Sequence, residues 1–173
     1  MIDAGAGTGI ADLSDGIRGY FHAGHYHPSG IPYVGKPHPK VLILGSGAGR
    51  EVLEALYFGA RSVTAVDINP IINDIVARRM RSAWGGLFEQ PEVELITEDG
   101  RSFVRRSNEK YDVIISIQTM TAAAVTSGAL AMSEAYMFTR EALADYVDHL
   151  SPDGVILITR GARSDCQAVR YHS

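Results

Sequence analysis

The stretch KVLILGSGAGREVLEAL (residues 40–56), followed by SVTAVDINP (residues 62–70), decides the fold of this chain. It opens with a nearly continuous apolar run, which is typical of a strand covered on both faces of a parallel sheet. Gly45, Gly47 and Gly49 then leave the backbone accessible where an amphipathic helix begins. A second apolar run follows. This order of strand, glycine loop, helix and strand predicts a βαβ unit.

The same alternation continues to residue 160 and predicts a doubly wound, mostly parallel, Rossmann-like α/β sheet. Five apolar runs are the expected strands: residues 40–45, 62–67, 93–97, 111–117 and 154–160. Three helical faces are expected to cover them: Val52, Leu56 and Ala60; Ile72, Ile75 and Met80; Leu143, Val147 and Leu150. The segment Ser151-Pro152-Asp153-Gly154 predicts a turn before the last strand.

Composition and charge exclude several classes of function. A formal net charge of -4 and a pI near 5.8 disfavour nucleic acid as a partner, since phosphate binding needs clustered cations. Cys166 is the only cysteine, so neither an intrachain disulfide nor a thiolate zinc site is expected. The first residues have no basic region followed by an apolar stretch, so no signal peptide is indicated. These features favour a cytoplasmic protein.

The spacing of the glycine loop bears on the nucleotide. A dinucleotide fingerprint G-x-G-x-x-G would place its third glycine at position 50, where this chain has Arg50. This favours a donor of the S-adenosylmethionine type over NAD. Asp67 ends the second strand, where a carboxylate can accept hydrogen bonds from both ribose hydroxyls. The alternative is that Asp67 only caps the helix that begins near Asn69-Pro70.

A second acidic position follows the third predicted strand. Asp99, in Glu98-Asp99-Gly100, can receive the amino group of an adenine ring. The competing interpretation is a turn or cap residue.

Three other features have weaker functional interpretations. The Gly-rich stretch at residues 3–9 imitates a nucleotide loop but has no strand before it, so we interpret it as a turn. The histidines of residues 22–27 and His38 are compatible with a metal site, but the absence of helical spacing and of nearby cysteine favours a polar loop. Cys166 has no base beside it, which disfavours a nucleophile.

The motifs VLILGSGAGREVLEAL, AVDINP, EDGRSF, KYDVII and LSPDGVILITR resemble, in order and spacing, those of spermidine (polyamine) synthase-like proteins of the class I methyltransferase superfamily. The resemblance covers about residues 40–160. It implies a transferase that binds S-adenosylmethionine or decarboxylated S-adenosylmethionine as co-substrate, without a metal. The residues expected to line the donor site are Gly45, Ser46, Gly47, Gly49, Asp67, Ile68, Asp99 and Gly100.

The acceptor side departs from the family pattern. The polyamine synthases carry an aspartate just after the fourth strand, which binds and deprotonates the attacking amine, whereas this chain has Ser116-Ile117-Gln118-Thr119 there. Of the family's upstream Tyr-His-Glu segment, residues 26–28 keep only Tyr-His. The catalytic residues therefore stay unassigned, with Gln118, Thr119, Glu134 and Tyr136 as candidates because they follow the fourth strand. The acceptor is expected to be a small molecule, with polyamines as one candidate class.

The resemblance also implies the organisation of the chain. We expect a loop-rich segment over residues 1–39, the donor-binding domain over 40–160 and a tail over 161–173. The fold ordinarily closes with an antiparallel hairpin, and residues 161–173 have no apolar run for it, so an exposed sheet edge or a homo-oligomer covering it is expected. Residues 133–154 resemble a bacterial subgroup whose members often have membrane segments elsewhere; this chain contains none, and a membrane-tethered parent protein stays open.

Three hypotheses follow. The first is an alkyltransferase that moves a methyl or aminopropyl group. The second is a non-catalytic donor-binding or assembly module derived from that fold. The third, an NAD-dependent oxidoreductase, is supported only by the βαβ pattern.

Overall fold

A five-stranded sheet organises the described part of the chain. The computed structural model describes Leu13, Ile17 and residues 28–117 and 136–159. The strands are β1 (Lys40–Leu44), β2 (Ser62–Asp67), β3 (Val93–Thr97), β4 (Tyr111–Ile117) and β5 (Leu150–Thr159). Their central positions are branched apolar residues, which suit a pleated surface buried on both faces.

The strand order is β3-β2-β1-β4-β5, and every neighbouring pair is parallel. Val41 of β1 lies opposite Val63 of β2 on one side and Val113 of β4 on the other. The order reverses at β1, so the connections after β1 and β4 leave the sheet in opposite directions and open a crevice at its carboxyl edge. The predicted Rossmann-like parallel fold is confirmed. The predicted lack of a closing hairpin concerns residues outside those described.

Within residues 28–117 and 136–159, four short helices cover the sheet: α1 (Arg50–Tyr57), α2 (Pro70–Asp74), α3 (Gly100–Arg106) and α4 (Arg140–Asp148). A π-helical turn, Ile75–Arg79, continues α2, and 3₁₀ turns lie at Pro28–Tyr33, Leu87–Glu89 and Tyr136–Phe138. Nowhere in residues 28–117 or 136–159 is there a helix with the length and hydrophobicity needed to cross a bilayer.

The core has one cluster on each face of the sheet. Val52 and Leu53 of α1 pack with Trp84 against one face, together with Val41 and Ile43 of β1. On the opposite face, Leu42, Phe103, Val104, Ala142 and Tyr146 bring α3 and α4 together. Each strand therefore presents alternate residues to two separate cores, as its apolar sequence predicts.

The predicted sheet-covering face of α4 is wrong. Leu143 is 40% exposed and Val147 is 57% exposed, whereas the neighbouring Ala142 and Tyr146 are fully buried. The reason is that Tyr146 fills the core with its ring while its hydroxyl donates a hydrogen bond of 2.9 Å to the Met137 carbonyl. The buried face of α4 therefore lies one residue before the predicted face, a shift that hydrophobicity alone does not predict.

The start of β5 also differs from the prediction. The strand begins at Leu150, four positions before the expected Gly154. Tyr111 pairs with Leu150 but Val113 pairs with Val155, so the chain between Leu150 and Val155 bulges out of the ladder. The expected turn therefore exists as a bulge within the strand.

Candidate functional site

The glycine loop lies at the carboxyl edge of the sheet, next to the end of β2. The amides of Gly45 and Ser46 donate to the Val66 carbonyl at 2.8 and 3.2 Å, so the loop is attached to the neighbouring strand. Ser46 is buried. The loop continues into α1, whose N-cap is Gly49. The hydrogen bonds to Val66 therefore hold the glycine loop beside Asp67, the next residue of β2.

Two glycines of this loop serve different purposes. Both Gly47 and Gly49 have positive φ, at 49° and 89°. Among the described residues, a Cβ at Gly47 would have no heavy atom within 4 Å, whereas one at Gly49 would lie 2.6 Å from the Phe88 ring. Gly49 is therefore required for packing against the β2–β3 connection, and no described side chain crowds Gly47.

Asp67 fixes the glycine loop with its side chain. Its Oδ2 accepts a hydrogen bond of 2.9 Å from the Gly47 amide, and its Oδ1 accepts one of 2.8 Å from the Asn69 amide. The residue is 9% exposed. Each carboxylate oxygen can accept two hydrogen bonds, so acceptor capacity remains for two hydroxyls. The helix cap is Asn69, which accepts from the amides of Ile71 and Ile72, so the alternative assignment of Asp67 as that cap is not supported.

Asp99 has the capping role that the sequence left open. Its Oδ1 accepts a hydrogen bond of 2.8 Å from the Ser102 amide at the start of α3. Gly100 is buried, and a Cβ there would lie 3.0 Å from Met137 and 3.3 Å from Leu44. Ile68, beside Asp67, is 63% exposed. The adenine role of Asp99 stays a prediction.

Asn73 connects the ends of β2 and β3 and was not identified from the sequence. Its Nδ2 donates to the Asp67 carbonyl at 3.3 Å and to Thr97 Oγ1 at 2.8 Å. The Glu98 amide donates to the same Asp67 carbonyl at 3.2 Å. A polar residue at a buried helical position was the available signal, but its partners lie on two other elements.

A buried acid on α1 was also missed. Glu54 is 1% exposed although it is ionisable, and Arg50 Nε lies 3.6 Å from its Oε1. Burial raises the pKa of Glu54 to about 7; the charge of Glu51 adds to this, and Arg50 opposes it. Burial likewise raises the pKa of Tyr33, with the charges of Glu54 and Glu51 as further causes. The sequence shows a Glu on an otherwise amphipathic helix, which alone predicts exposure.

Of the predicted acceptor-side residues, the structure describes only Tyr136. Its ring lies 4.2 Å from the Arg101 guanidinium carbon. Ser116, at the end of β4, is buried, and its hydroxyl has no hydrogen-bond partner within the described part of the chain. Gln118, Thr119 and Glu134 lie outside the described residues.

The metal hypothesis gains no support from the described histidine. His38 Nδ1 lies 3.2 Å from the Gly59 carbonyl oxygen. Across residues 28–117 and 136–159 there is no group of three or more His, Cys, Asp or Glu that could hold a metal ion. Residues 3–9, His22, His25, His27 and Cys166 are not among the residues described.

Comparison with known proteins identifies the family. Residues 26–166 match the family model of the spermine/spermidine synthase domain. The chain belongs to this family. Membership confirms the resemblance seen in the motifs and supports the alkyltransferase class.

Curated relatives in this spermine/spermidine synthase family are aminopropyltransferases. The polyamine aminopropyltransferase of Sulfurisphaera tokodaii is 32% identical over 55% of this chain and 31% of its own length. Polyamine aminopropyltransferase 2 of Hyperthermus butylicus is 32% identical over 66% of this chain and 40% of its own length. The chain thus spans well under half the length of these relatives.

Three solved structures share the fold. The spermidine synthase of Thermotoga maritima matches with a TM-score of 0.59 and 25% identity over 74% of this chain and 40% of that one. A spermidine synthase solved with the transition-state analogue AdoDATO matches with a TM-score of 0.57 and 24% identity, over 74% and 39%. An S-adenosylmethionine-dependent methyltransferase from Agrobacterium tumefaciens has a TM-score of 0.55 and 22% identity, over 79% and 42%. The last two show the fold alone.

Proposed function

We propose that this domain binds S-adenosylmethionine or its decarboxylated form at the carboxyl edge of the sheet and transfers an alkyl group from it. The supporting observation is the Asp67 carboxylate, which is held by the amides of Gly47 and Asn69 beside a glycine that no described side chain crowds. A ribose presents two adjacent hydroxyls, and a rigid carboxylate with spare acceptor capacity is complementary to them.

The remaining donor contacts are assigned around this carboxylate. Asp99 and Gly100 follow β3, next to β2, and would meet the adenine ring together with the exposed side chain of Ile68. The glycine loop, with Gly45, Ser46 and Gly49, would lie along the rest of the donor. Ser46 and Gly49 act through the backbone in this assignment, because Ser46 is buried and Gly49 packs against Phe88.

Alkyl transfer from a sulfonium is a direct displacement. The acceptor attacks the carbon next to the sulfur, the carbon–sulfur bond breaks, and its electron pair neutralises the sulfonium as the acceptor loses a proton. A primary amine is only about a thousandth neutral at pH 7, so transfer to an amine needs a base. The chain has no carboxylate at residues 116–119, which leaves Gln118, Thr119, Glu134 and Tyr136 as acceptor-side candidates. We therefore expect no appreciable formation of spermidine from putrescine.

Calorimetry with S-adenosylmethionine, decarboxylated S-adenosylmethionine and NAD tests the donor. We expect one or both sulfonium compounds to bind and NAD not to bind; the reverse preference would overturn the proposal. Turnover is then measured with the bound donor and a panel of labelled small-molecule acceptors, which includes putrescine as the acceptor for which we expect no product. Donor binding without transfer to any tested acceptor would favour the non-catalytic alternative, for which the missing carboxylate at residues 116–119 is the supporting observation.

A further inference from the structure

Asn73 is a buried polar residue of α2 whose side chain makes its hydrogen bonds to other elements. It is 6% exposed. Its Nδ2 donates to the Asp67 carbonyl at 3.3 Å and to Thr97 Oγ1 at 2.8 Å. A side-chain amide has two N–H donors, so both of them are used. The Asp67 carbonyl can only accept, which fixes the orientation of the amide.

The oxygen of the same amide gains nothing from its burial. Asn73 Oδ1 is inaccessible to solvent and has no hydrogen-bond partner among the described residues. A buried acceptor without a partner costs about as much free energy as the two neutral hydrogen bonds of Nδ2 contribute. Stability therefore does not account for an amide at this position, and its two fixed partners indicate a positioning role.

The two partners are the last paired residues of β2 and β3. Asp67 lies opposite Thr97 at the end of the parallel ladder. The Glu98 amide also donates to the Asp67 carbonyl, at 3.2 Å. Beyond this point the two strands lead into different helices, since Pro70 begins α2 and Gly100 begins α3. The amide from α2 therefore joins the two strands at the point where they end.

Two separate sets of contacts fix Asp67. The amides of Gly47 and Asn69 hold its carboxylate. Asn73 and the Glu98 amide hold its main-chain carbonyl. A carboxylate keeps a defined position only if the backbone that carries it is also fixed by surrounding hydrogen bonds. The second set of contacts is therefore needed for the first set to place the side chain.

We propose that Asn73 is a positioning residue that holds the end of β2 against the end of β3 and thereby places the Asp67 carboxylate for the donor. The inference rests on the proposed function, because it takes Asp67 as a donor contact. Asn73 acts through the main chain of Asp67 and does not touch the donor in this scheme. Its loss should weaken donor binding out of proportion to any loss of stability.

Asn73→Leu tests this role, because leucine has a similar size and removes both the Nδ2 donors and the unpaired Oδ1. Calorimetry with S-adenosylmethionine and its decarboxylated form should show the affinity of the bound donor fall about tenfold, corresponding to about 1.4 kcal/mol. The midpoint of urea unfolding should stay close to that of wild type. Asp74→Leu is the matched control, since Asp74 is the next residue of α2 and pairs with the exposed Arg78 and Arg79. It should change donor affinity less than about twofold.

A double-mutant cycle with Thr97 separates positioning from general damage to the fold. Thr97→Val removes the hydroxyl that accepts from Asn73 and should weaken donor binding, whereas Thr97→Ser keeps a hydroxyl and should retain wild-type affinity. Because both residues act through one link, Asn73→Leu combined with Thr97→Val should lose no more affinity than Asn73→Leu alone. Losses that multiply would contradict the positioning role. If Asn73→Leu does not fold, the comparison of Thr97→Val with Thr97→Ser decides the question, and equal affinities would refute the link.

Hydrogen exchange of the Glu98 amide, followed in peptides covering residues 93–103, needs no donor. This amide should exchange faster in Asn73→Leu than in wild type, and Asp74→Leu should leave its exchange unchanged. Unchanged exchange, or wild-type donor affinity, in Asn73→Leu would overturn the inference. A wild-type protein that binds neither sulfonium compound would instead overturn the proposed function, and faster exchange would still show that Asn73 holds the strand ends together.

Discussion

The backbone amide of Gly47 donates a hydrogen bond of 2.9 Å to Oδ2 of Asp67, which joins the glycine loop after β1 to the end of β2. The two positions are 20 residues apart in the chain. The same carboxylate that is proposed to bind the ribose therefore also sets the shape of the loop. A substitution at Asp67 affects both.

Asp67→Ala should weaken binding of the sulfonium donor by about 2–4 kcal/mol, because charge-assisted hydrogen bonds are lost and the loop loses its anchor. The sheet should remain folded. Calorimetry measures the affinity and circular dichroism checks the fold. Asp74→Ala is the control, since Asp74 is an acid on α2 that pairs with the exposed Arg78 and Arg79. Equal donor affinity in wild type and Asp67→Ala would contradict the ribose assignment.

Alanine substitutions should separate the two glycines of the loop. Gly49→Ala should destabilise the fold by about 2–4 kcal/mol, because it combines a positive φ with a Cβ 2.6 Å from Phe88. Gly47→Ala has only the cost of the positive φ, about 1–2 kcal/mol of unfolding free energy. It should weaken donor binding more than Gly49→Ala does. Urea unfolding and calorimetry measure the two effects. Equal loss of stability in both variants would contradict the packing role of Gly49.

Glu54→Gln should remove a pH dependence of stability. The folded-state pKa of Glu54 is raised to about 7, so the folded protein binds this proton more tightly than the unfolded chain. Its contribution is fully present below the ordinary carboxyl pKa and is lost as the pH rises to about 7. Between pH 5 and pH 8, the free energy of unfolding of wild type should therefore fall by up to about 3 kcal/mol relative to that of Glu54→Gln.

Urea unfolding at several pH values measures the Glu54 effect. Glu51, Arg50 and Tyr33 face Glu54, and none of the three is changed by the substitution. Glu89→Gln is the control, because Glu89 is exposed and paired with Arg81. Parallel pH profiles of wild type and Glu54→Gln would show that Glu54 is charged throughout.

Asp112→Ala should destabilise the bulge at the start of β5. Asp112 accepts hydrogen bonds of 2.8 Å from the Lys40 amide and from Ser151 Oγ, and it pairs with Arg61 at 3.1 Å. Partial burial acts to raise the pKa of Asp112, but the hydrogen bonds from Lys40 and Ser151 and the charges of Arg61 and Lys36 outweigh it, so the pKa is lowered. Removing the acceptor should cost about 1–3 kcal/mol at neutral pH.

The Asp112 contribution has the opposite pH dependence to that of Glu54. It is present above the ordinary carboxyl pKa and is lost as the pH falls through the lowered folded-state value. The difference between wild type and Asp112→Ala should therefore narrow in acid, as measured by urea unfolding. Asp148→Ala, an exposed acid at the end of α4, should change stability by less than about 0.5 kcal/mol. A difference in unfolding free energy that is the same at every pH would show that the charge of Asp112 does not contribute to stability.

The sequence by itself determined the strands of the sheet, the position of the glycine loop and the place of Asp67 at the end of β2. Buried parallel strands need uninterrupted apolar runs, and a loop with positive φ values needs glycine, so both constraints are local and visible in the residues. Four of the five predicted strands lie at the expected positions for that reason, and residues 26–166 match the family whose motifs they resemble.

Only the tertiary structure decided which neighbours satisfy each polar group. The buried face of α4 depends on a hydrogen bond from Tyr146 to Met137, and the burial of Glu54 depends on elements that cover α1. Gly49 is needed because Phe88 packs against it, and Arg101 is buried because its partners lie on residues 136–145. Such contacts join residues on different elements, and hydrophobic periodicity carries no information about which of them meet.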